Sequence, residues 1–296
     1  MTWMAGLLAS LWNHPRGRIG LLILLALVAA SVLAPVLAPY PPDRVVGPPM
    51  AEPGLEHLLG TTRLGKDVLS QTLYGGRISL AVGFFAGFLA TVVALLIGVT
   101  AAYCGGLVDD VLTFVMNLVL VLPAVALIIV IASSLEGTAS PLLIAVIIAA
   151  TSWAWEGRLF RAQTLTISQR EYISAAKVIG EPAWRIIVFH IIPNLSSLIA
   201  SAFVLGTLYC IVTEAGLEFI GIGDPQAMTW GVQLLHARTA NVLIVGAWWE
   251  LLVPSVMILL TGAALALINF AVDEITNPRL QHHKYVQLQR RGRDHG

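Results

Sequence analysis

The chain has 296 residues, of which 57% are hydrophobic and 11% are charged. A soluble domain usually carries about 25% charged residues, so the composition excludes a soluble globular protein and indicates one that lies in a membrane. The formal net charge is zero and the basic residues are scattered along the chain, which argues against a nucleic-acid partner. The two cysteines, Cys104 and Cys210, lack the CxxC spacing of redox or metal sites, and we expect both to be packing residues.

Six apolar stretches approach the roughly 20 residues that a helix needs to cross a hydrocarbon core about 30 Å thick. The first has no charge, and a secretory signal is its competing interpretation. We expect an uncleaved helix, because a signal core has only about 7 to 15 apolar residues and no clean cleavage site follows. Pro123 and Pro254 lie inside predicted spans and are expected to kink them. The predicted transmembrane helices cover residues 19–37, 78–103, 111–132, 142–155 with its flanks, 195–212 and 248–272.

The sequence therefore predicts an all-α integral membrane protein with six transmembrane helices and both termini on one side. With that topology, twelve of the 17 basic residues lie on the side of the termini and five on the other side. Because cytoplasmic loops carry the excess of Lys and Arg, we expect both termini to be cytoplasmic. We divide the chain into residues 1–76 (N-terminal tail, first span and outer segment), 77–275 (a five-helix core) and 276–296 (a cytoplasmic C-terminal tail).

The outer segment before the second span has helical character. Leu64, Val68 and Leu73 lie near one helical face, which predicts a helix over residues 65–74 that lies along the membrane surface. Gly75 and Gly76 would then let the chain turn into the second span.

A long polar loop separates the fourth and fifth predicted spans, and its sequence EYISAAKVIGEPAWRIIVFHIIPNL predicts a helical hairpin. Gly180 can end the first helix in the left-handed conformation, and Pro182 suits the first turn of the second. We expect the hairpin to lie flat at the inner face of the membrane, with small residues exposed to a soluble partner. The first helix would present Tyr172, Ala175, Ala176 and Ile179 on one face, and the second, over about residues 182–190, Trp184, Ile187 and Ile191.

The position of each acidic residue near a span requires an explanation, because a charge at the bilayer centre costs about 2.5–3.5 kcal/mol on insertion scales. Glu156 lies beside arginines near the inner boundary and Glu250 follows two tryptophans at the outer one, so we expect both to be interfacial anchors. Glu214 and Glu218 flank the outer end of the fifth span in a segment rich in Gly and aromatic residues. A loop that folds over the outer mouth is expected there. Residues of a possible cargo path or gate are Glu214, Glu218 and Glu250.

The hairpin segment resembles the EAA loop of binding-protein-dependent ABC importer permeases. The family pattern is EAA, three residues, Gly, nine residues, Ile, any residue, Leu-Pro, and this chain departs from it at Ser174 and His190. Glu171 matches the EYxxAA variant of the dipeptide and oligopeptide branch. The resemblance implies a coupling helix that docks in a groove of an ATPase subunit. Its implied coupling residues are Glu171, Tyr172, Ala175, Ala176, Gly180, Trp184 and Pro193.

Three further segments are similar to the C-type subunit of that branch, the peptide/nickel family. They are LGTTRLGKDVLSQTLYGGRISL (residues 59–80), EAGLEFIGIG with the following TWG (214–231), and NPRL (277–280). The resemblance implies a prokaryotic inner-membrane permease that forms a heterodimer with a second permease. It also implies two ATPase subunits or domains, which bind the ATP, and an extracytoplasmic solute-binding protein. The resemblance favours dipeptides or oligopeptides as the cargo, with nickel chelates, glutathione and oligosaccharides as alternatives.

No motif for catalysis is found in the sequence, which lacks a GxxxxGK[ST] phosphate loop, HExxH and GxSxG. We therefore expect a transport subunit that is not an enzyme and binds no cofactor or metal. A stand-alone secondary transporter is the main rival, and it predicts paired ionisable groups within the spans and internal repeats. Neither feature is evident in the sequence.

Overall fold

A computed structural model of the chain describes residues 9–134 and 140–276. Within these ranges the regular structure is helical, which confirms the all-α fold. The NPRL motif and the predicted C-terminal tail lie outside the described residues, apart from Thr276. The helices, numbered in chain order, are α1 (Pro15–Val32), α2 (Ala34–Leu37), α3 (Val68–Cys104), α4 (Gly106–Val121), α5 (Ala124–Ser133), α6 (Pro141–Ser168), α7 (Glu171–Val178), α8 (Ala183–Ile186), α9 (Ile192–Phe219), α10 (Trp230–Thr239) and α11 (Trp249–Thr276).

The helices provide six candidate membrane crossings in the described part of the chain, as predicted. Five are single helices that are long and apolar enough: α1, α3, α6, α11 and the continuous helix Ala183–Phe219. The sixth is the pair α4 and α5, which is bent by 81°. Pro123 lies at this bend, since it is the N-cap of α5 and proline cannot continue a regular helix. Pro254, by contrast, lies within α11, which continues through it.

The crossings alternate in direction, so the bundle has two distinct ends. At one end α7 and α8 pack against the last turns of α3 and α6, and we call this the hairpin end. At the opposite end Val68, Ala237 and Trp249 share a buried cluster. Near the N-terminus, Leu11 packs against the last turns of α11. The first and last described helices therefore meet at the hairpin end.

Helix α3 is the centre of the bundle, and small residues let its neighbours approach closely. A Cβ atom at Gly87 would lie 2.8 Å from both Cα and N of Thr207 on α9, and one at Gly98 would lie 3.0 Å from Phe160 Cβ on α6. Membrane helices associate through such close van der Waals packing, because lipid offers no hydrophobic driving force between them. The glycines therefore set the helix spacing.

The predicted surface helix over residues 65–74, with a turn at Gly75 and Gly76, is wrong. Helix α3 begins at Val68 and passes through both glycines without a break. Both are buried because other side chains pack there: a Cβ atom would lie 2.8 Å from Gln233 Nε2 at Gly75 and 2.8 Å from Trp230 Cζ2 at Gly76. The glycines serve close packing rather than a turn.

A buried polar cluster begins α3 and fixes the outer segment to it. Asp67, the N-cap residue, accepts hydrogen bonds from Ser70 N (2.8 Å) and Ser70 Oγ (2.7 Å). His57 Nδ1 lies 3.1 Å from the other carboxylate oxygen of Asp67. N-capping satisfies backbone donors that would otherwise be unpaired at the start of the helix.

The helix spacing at α3 gives a direct stability test. Gly87→Ala places a methyl group against the backbone of Thr207, and we expect a loss of about 1–3 kcal/mol from overpacking, measured as a lower thermal unfolding midpoint in detergent. Gly216→Ala is the matched control, since a Cβ atom there has nothing within 4 Å and alanine favours helix. Equal midpoints for the two variants would contradict the packing role of Gly87.

Candidate functional site: a helical hairpin and two cavities

The hairpin forms as its glycine and proline predict. Helix α7 ends in a turn in which Glu181 N donates to Ala176 O (3.1 Å) and Gly180 N to Lys177 O (3.1 Å). Gly180 has a φ angle of 84°, the left-handed region that favours glycine. Pro182 then precedes α8 as its N-cap. The predicted helix end at Gly180 is confirmed.

One side of the hairpin is buried against the bundle. Ile173 on α7 and Ile186 on α8 are fully buried, and they pack with Val99 and Ile167 at the ends of α3 and α6. Ala176 belongs to this same cluster and is 7% exposed. Ala176 therefore faces the bundle, in contrast to its predicted place on the exposed face, while Tyr172 and the other members of that face are exposed.

The predicted second arm, a separate flat helix that ends before the fifth span, is wrong. The chain is helical from Ala183 to Phe219 without a break, through a π-helical turn at Ile187–Ile191. Pro193 lies in the first turn of α9 directly after this turn. Because a proline ring clashes with the carbonyl four residues earlier in an α-helix, the wider π-helical turn lets the helix continue. The arm is thus the first part of the membrane helix.

The tip of the hairpin exposes large apolar side chains. Val178 and Ile179 are 87% and 82% exposed, and Trp184 on α8 is 63% exposed. Trp184 packs edge to face against Phe189, with ring centroids 6.4 Å apart, so it does not share a stripe with the buried Ile191. Exposed apolar side chains of this kind mark a contact with another protein or with the membrane. We call these four exposed residues and Tyr172 the hairpin tip.

At the opposite end of the bundle, the first part of α3 and helix α10 are joined by buried hydrogen bonds. Trp230 donates from Nε1 to Thr72 O (3.0 Å) and from its backbone N to Ser79 Oγ (3.1 Å). Gln233 Nε2 donates to Gln71 O at 2.6 Å. The segments 59–80 and 214–231, which resemble permease motifs, therefore meet here in one network.

Glu214 and Glu218 lie in the last turns of α9, which extends further than predicted, and not in a loop over the outer mouth. Both are buried, at 0% and 1% exposure. Glu218 accepts a short hydrogen bond from Thr229 Oγ1, and Thr229 Oγ1 in turn accepts one from Val232 N at 3.1 Å. Ser79 Oγ lies 3.5 Å from Glu214 Oε1. Through Thr229, the Glu218 carboxyl orders the start of α10.

A cavity of about 330 Å³ lies near this end, and Glu250 is on its wall with Arg63, Lys66 and His236. Arg63 N donates to Glu250 Oε2 at 3.2 Å. Glu250, which was predicted to be an interfacial anchor, is only 5% exposed, so its carboxyl is buried at this end of the bundle. Burial and then the charge of Lys66 lower the pKa of His236. The cavity combines a carboxyl with two permanent cations.

A second cavity, of about 500 Å³, lies among α4, α5, α6 and α9 at the level of the membrane spans, and Glu156 lines it. We expected Glu156 to be an interfacial anchor near the inner boundary, either solvated or paired. Arg161 instead binds Asp109 on α4, at 2.5 and 2.7 Å, and Glu156 is 7% exposed. The sequence did not predict this cavity, because Glu156 directly follows the predicted span 142–155 and so was placed at the membrane boundary.

These features define a multi-pass membrane permease. They are the six candidate crossings, the helical hairpin that is fixed to three of them, and the cavity at the level of the membrane spans. Residues 94–282 match the model of a protein family described as the binding-protein-dependent transport system inner membrane component. Residues 4–53 match the N-terminal TM domain of oligopeptide transport permease C. The chain belongs to the binding-protein-dependent transport permease family.

Curated relatives cover most of the chain. A peptide transport system permease protein of Brucella abortus is 35% identical over 92% of this chain and 90% of its own length. The oligopeptide transport system permease protein OppC of Mycobacterium tuberculosis is 32% identical over 82% of this chain and 83% of its length. The dipeptide transport system permease protein DppC of Bacillus subtilis is 32% identical over 88% and 81%.

The bond between Thr229 and Glu218 can be tested by an almost isosteric change. Thr229→Val removes a buried hydroxyl that serves both the carboxyl and the first turn of α10, and we expect a loss of about 1–3 kcal/mol, seen as a lower unfolding midpoint. Thr229→Ser should restore most of it. Thr239→Val is the control, since Thr239 is exposed at the other end of α10. An unchanged midpoint for Thr229→Val would refute the role of this bond.

Proposed function

We propose that this chain is the C-type permease subunit of an ATP-driven peptide importer and that the hairpin couples it to the ATPases. The names of the relatives OppC and DppC support peptides as the cargo. The observation that carries the coupling role is the two-sided hairpin. Its tip is exposed and apolar, while its other side is buried on three membrane helices.

The coupling residues divide between these two sides. Tyr172, Ala175 and Trp184 face outward and would contact the ATPase. Ala176 would instead fix α7 to the bundle, Gly180 would form the turn, and Pro193 would lie where the arm enters the membrane. Glu171, in the first turn of α7, completes the predicted set.

The proposed mechanism follows from the continuity of the second arm. ATP-driven closure of the ATPases would displace the hairpin tip, and the unbroken helix Ala183–Phe219 would carry that displacement across the membrane. Access to the cargo path would then change from one side of the membrane to the other. A partner can shift this equilibrium only if it binds the hairpin differently in the two states.

The proposed assembly contains a second permease, two ATPase subunits or domains and an extracytoplasmic solute-binding protein, with both termini and the hairpin in the cytoplasm. The excess of basic residues on that side supports the orientation. The bent pair α4 and α5 exposes Leu118 (52%), Val121 (80%) and Val125 (53%), a face that the second permease would cover. ATP would bind to the ATPases, and this chain would hold no cofactor.

Glu214, Glu218 and Glu250 remain the predicted cargo path or gate at the outer end. The lining of the 330 Å³ cavity by Glu250 supports this role for Glu250. Nickel chelates, glutathione or oligosaccharides are the alternative cargoes. The ligand that co-purifies with the partner solute-binding protein distinguishes them, and a nickel chelate, glutathione or an oligosaccharide found there would overturn the assignment of dipeptides or oligopeptides.

The contact surface is tested by adding a charge to the hairpin tip. Ile179→Asp would bury an unpaired carboxylate in the interface, so we expect at least tenfold less ATPase subunit to co-purify with the permease. Ile244→Asp is the matched control, because Ile244 is 85% exposed at the opposite end of the bundle. Equal capture of the ATPase by both variants would refute the proposed surface.

The role of the turn at Gly180 can be tested by a substitution that strains its backbone conformation. A Cβ atom at Gly180 has open space, but a β-branched residue at its φ of 84° is strained. We expect Gly180→Val to lower peptide uptake and ATPase capture at least tenfold, and Gly180→Asn, which tolerates this conformation, to retain most of both. Gly246→Val imposes the same strain at the other end, where φ is 86°. A loss of ATPase capture by Gly246→Val as large as that by Gly180→Val would contradict a local coupling role.

A further inference from the structure

We propose that the carboxyl group of Glu156 binds the amino-terminal ammonium group of a peptide in transit, in the 500 Å³ cavity among α4, α5, α6 and α9. The inference rests on the proposed function and specifies its cargo path. It differs from the sequence prediction, which placed the cargo path at the outer end and assigned Glu156 to the membrane interface.

The position of the cavity suits a transport path. Glu156 lies near the middle of α6 (Pro141–Ser168), and Gly206 lies opposite it near the middle of α9 (Ile192–Phe219). The cavity also reaches Leu120 and Ala124, which flank the bend between α4 and α5. A broken helix beside a cavity at membrane depth is a feature of substrate sites in membrane transporters.

Glu156 is buried without the partners that a carboxyl needs at this depth. Its Oε2 atom has no hydrogen-bond partner among the described residues. Thr91 on α3 is the polar neighbour of the carboxyl. A Cβ atom at Gly206 would lie 2.5 Å from Glu156 Oε1, so the glycine makes room for the carboxyl. An unpaired carboxylate in such a place is costly, and a cation would offset much of that cost.

The remaining wall of the cavity offers no competing cation. Its described lining contains no Lys, Arg or His. Thr151 Oγ1 is already bonded to backbone carbonyls at 3.0 and 3.1 Å, and Ser201 Oγ donates to Asp273 at 2.9 Å. Ser152, also on the wall, has a buried hydroxyl without a hydrogen-bond partner among the described residues. The rest is largely apolar, with Trp155, Leu205 and similar residues. The cavity therefore favours a ligand with one positively charged group, and its wall also accepts apolar parts of that ligand.

A peptide amino terminus fits this description. Every peptide with a free amino end carries an ammonium group whatever its side chains are, so a single fixed carboxylate can recognise it without selecting a sequence. A charge-assisted hydrogen bond of this kind is about twice as strong as a neutral one. The volume of the cavity lies within the range of about 300–1,000 Å³ typical of small-molecule sites, which suits the end of a short peptide.

The test compares two probes in the complete importer, reconstituted from this chain, its partner permease, the ATPases and the solute-binding protein. The probes are trialanine and N-acetyltrialanine, each supplied with binding protein saturated by that probe. We expect the wild type to import trialanine at least tenfold faster. Glu156→Gln should bring the ratio of the two rates close to one, and Glu156→Asp should retain a preference. Gly206→Ala, which crowds the carboxyl, should also lower the ratio, while Gly216→Ala should not.

The ratio separates this role from a structural one, because a general defect in folding or assembly lowers both rates and leaves their ratio unchanged. A wild-type ratio that Glu156→Gln does not change would overturn the inference while the importer function stands. If the wild type imports neither probe, the proposed function fails and this inference fails with it.

A second measurement does not depend on the binding protein. In the assembled permease pair with Cys104 replaced by Ser, a Leu205→Cys variant places a thiol on the cavity wall. Trialanine should slow its reaction with a maleimide at least fivefold, and N-acetyltrialanine should slow it less. Equal protection by both probes would contradict recognition of the ammonium group.

Discussion

A buried apolar contact holds the hairpin to the bundle. Ile173 and Ala176 from α7 and Ile186 from α8 form one cluster with Val99 of α3 and Ile167 of α6. Protein interiors are close-packed and transmit displacement, so this cluster makes a short surface hairpin part of the membrane bundle. Without it, α7 would be joined to the bundle only through its chain ends, and α3 and α6 would lose their contact with the hairpin.

The helices of the bundle are held at fixed spacing. Glycines of α3 let α6 and α9 approach closely, and the opposite end is closed by the network around Trp230. Between the two ends, the bent pair α4 and α5 and the wall around Glu156 are less tightly filled. Rigid ends with an open middle would suit the proposed rearrangement around a cargo path.

Hydropathy and turn chemistry predicted a large part of this architecture. The six crossings follow from apolar length, and the end of α7 follows from the left-handed conformation that Gly180 adopts. The errors have a common cause, since local patterns do not report which neighbours a residue meets. Gly75 and Gly76 suggest a turn by themselves, but Trp230 and Gln233 pack against them inside a straight helix. A proline before a predicted span suggested a break at Pro193, but a π-helical turn accommodates it.

The acidic residues of the candidate site also show that a local sequence pattern does not report which neighbours a side chain meets. Glu156 follows an apolar run and precedes an arginine, a pattern typical of a membrane boundary. Arg161, one turn further on, binds Asp109 from another helix, which leaves the Glu156 carboxyl to the cavity. Only the three-dimensional pairing distinguishes an interfacial anchor from a buried site.

We propose that the hairpin and α9 move as one body. The distance between spin labels tests this, with one label at Ile179→Cys on the hairpin tip and one at Val212→Cys on an exposed position of α9, in the assembled complex with Cys104 replaced. At 1.5 Å per helical residue this distance is roughly 45 Å. If they move as one body, the distance distribution is the same with and without ATP. A shift of several ångströms on ATP binding would show that the hairpin moves independently of the helix and would refute this proposal.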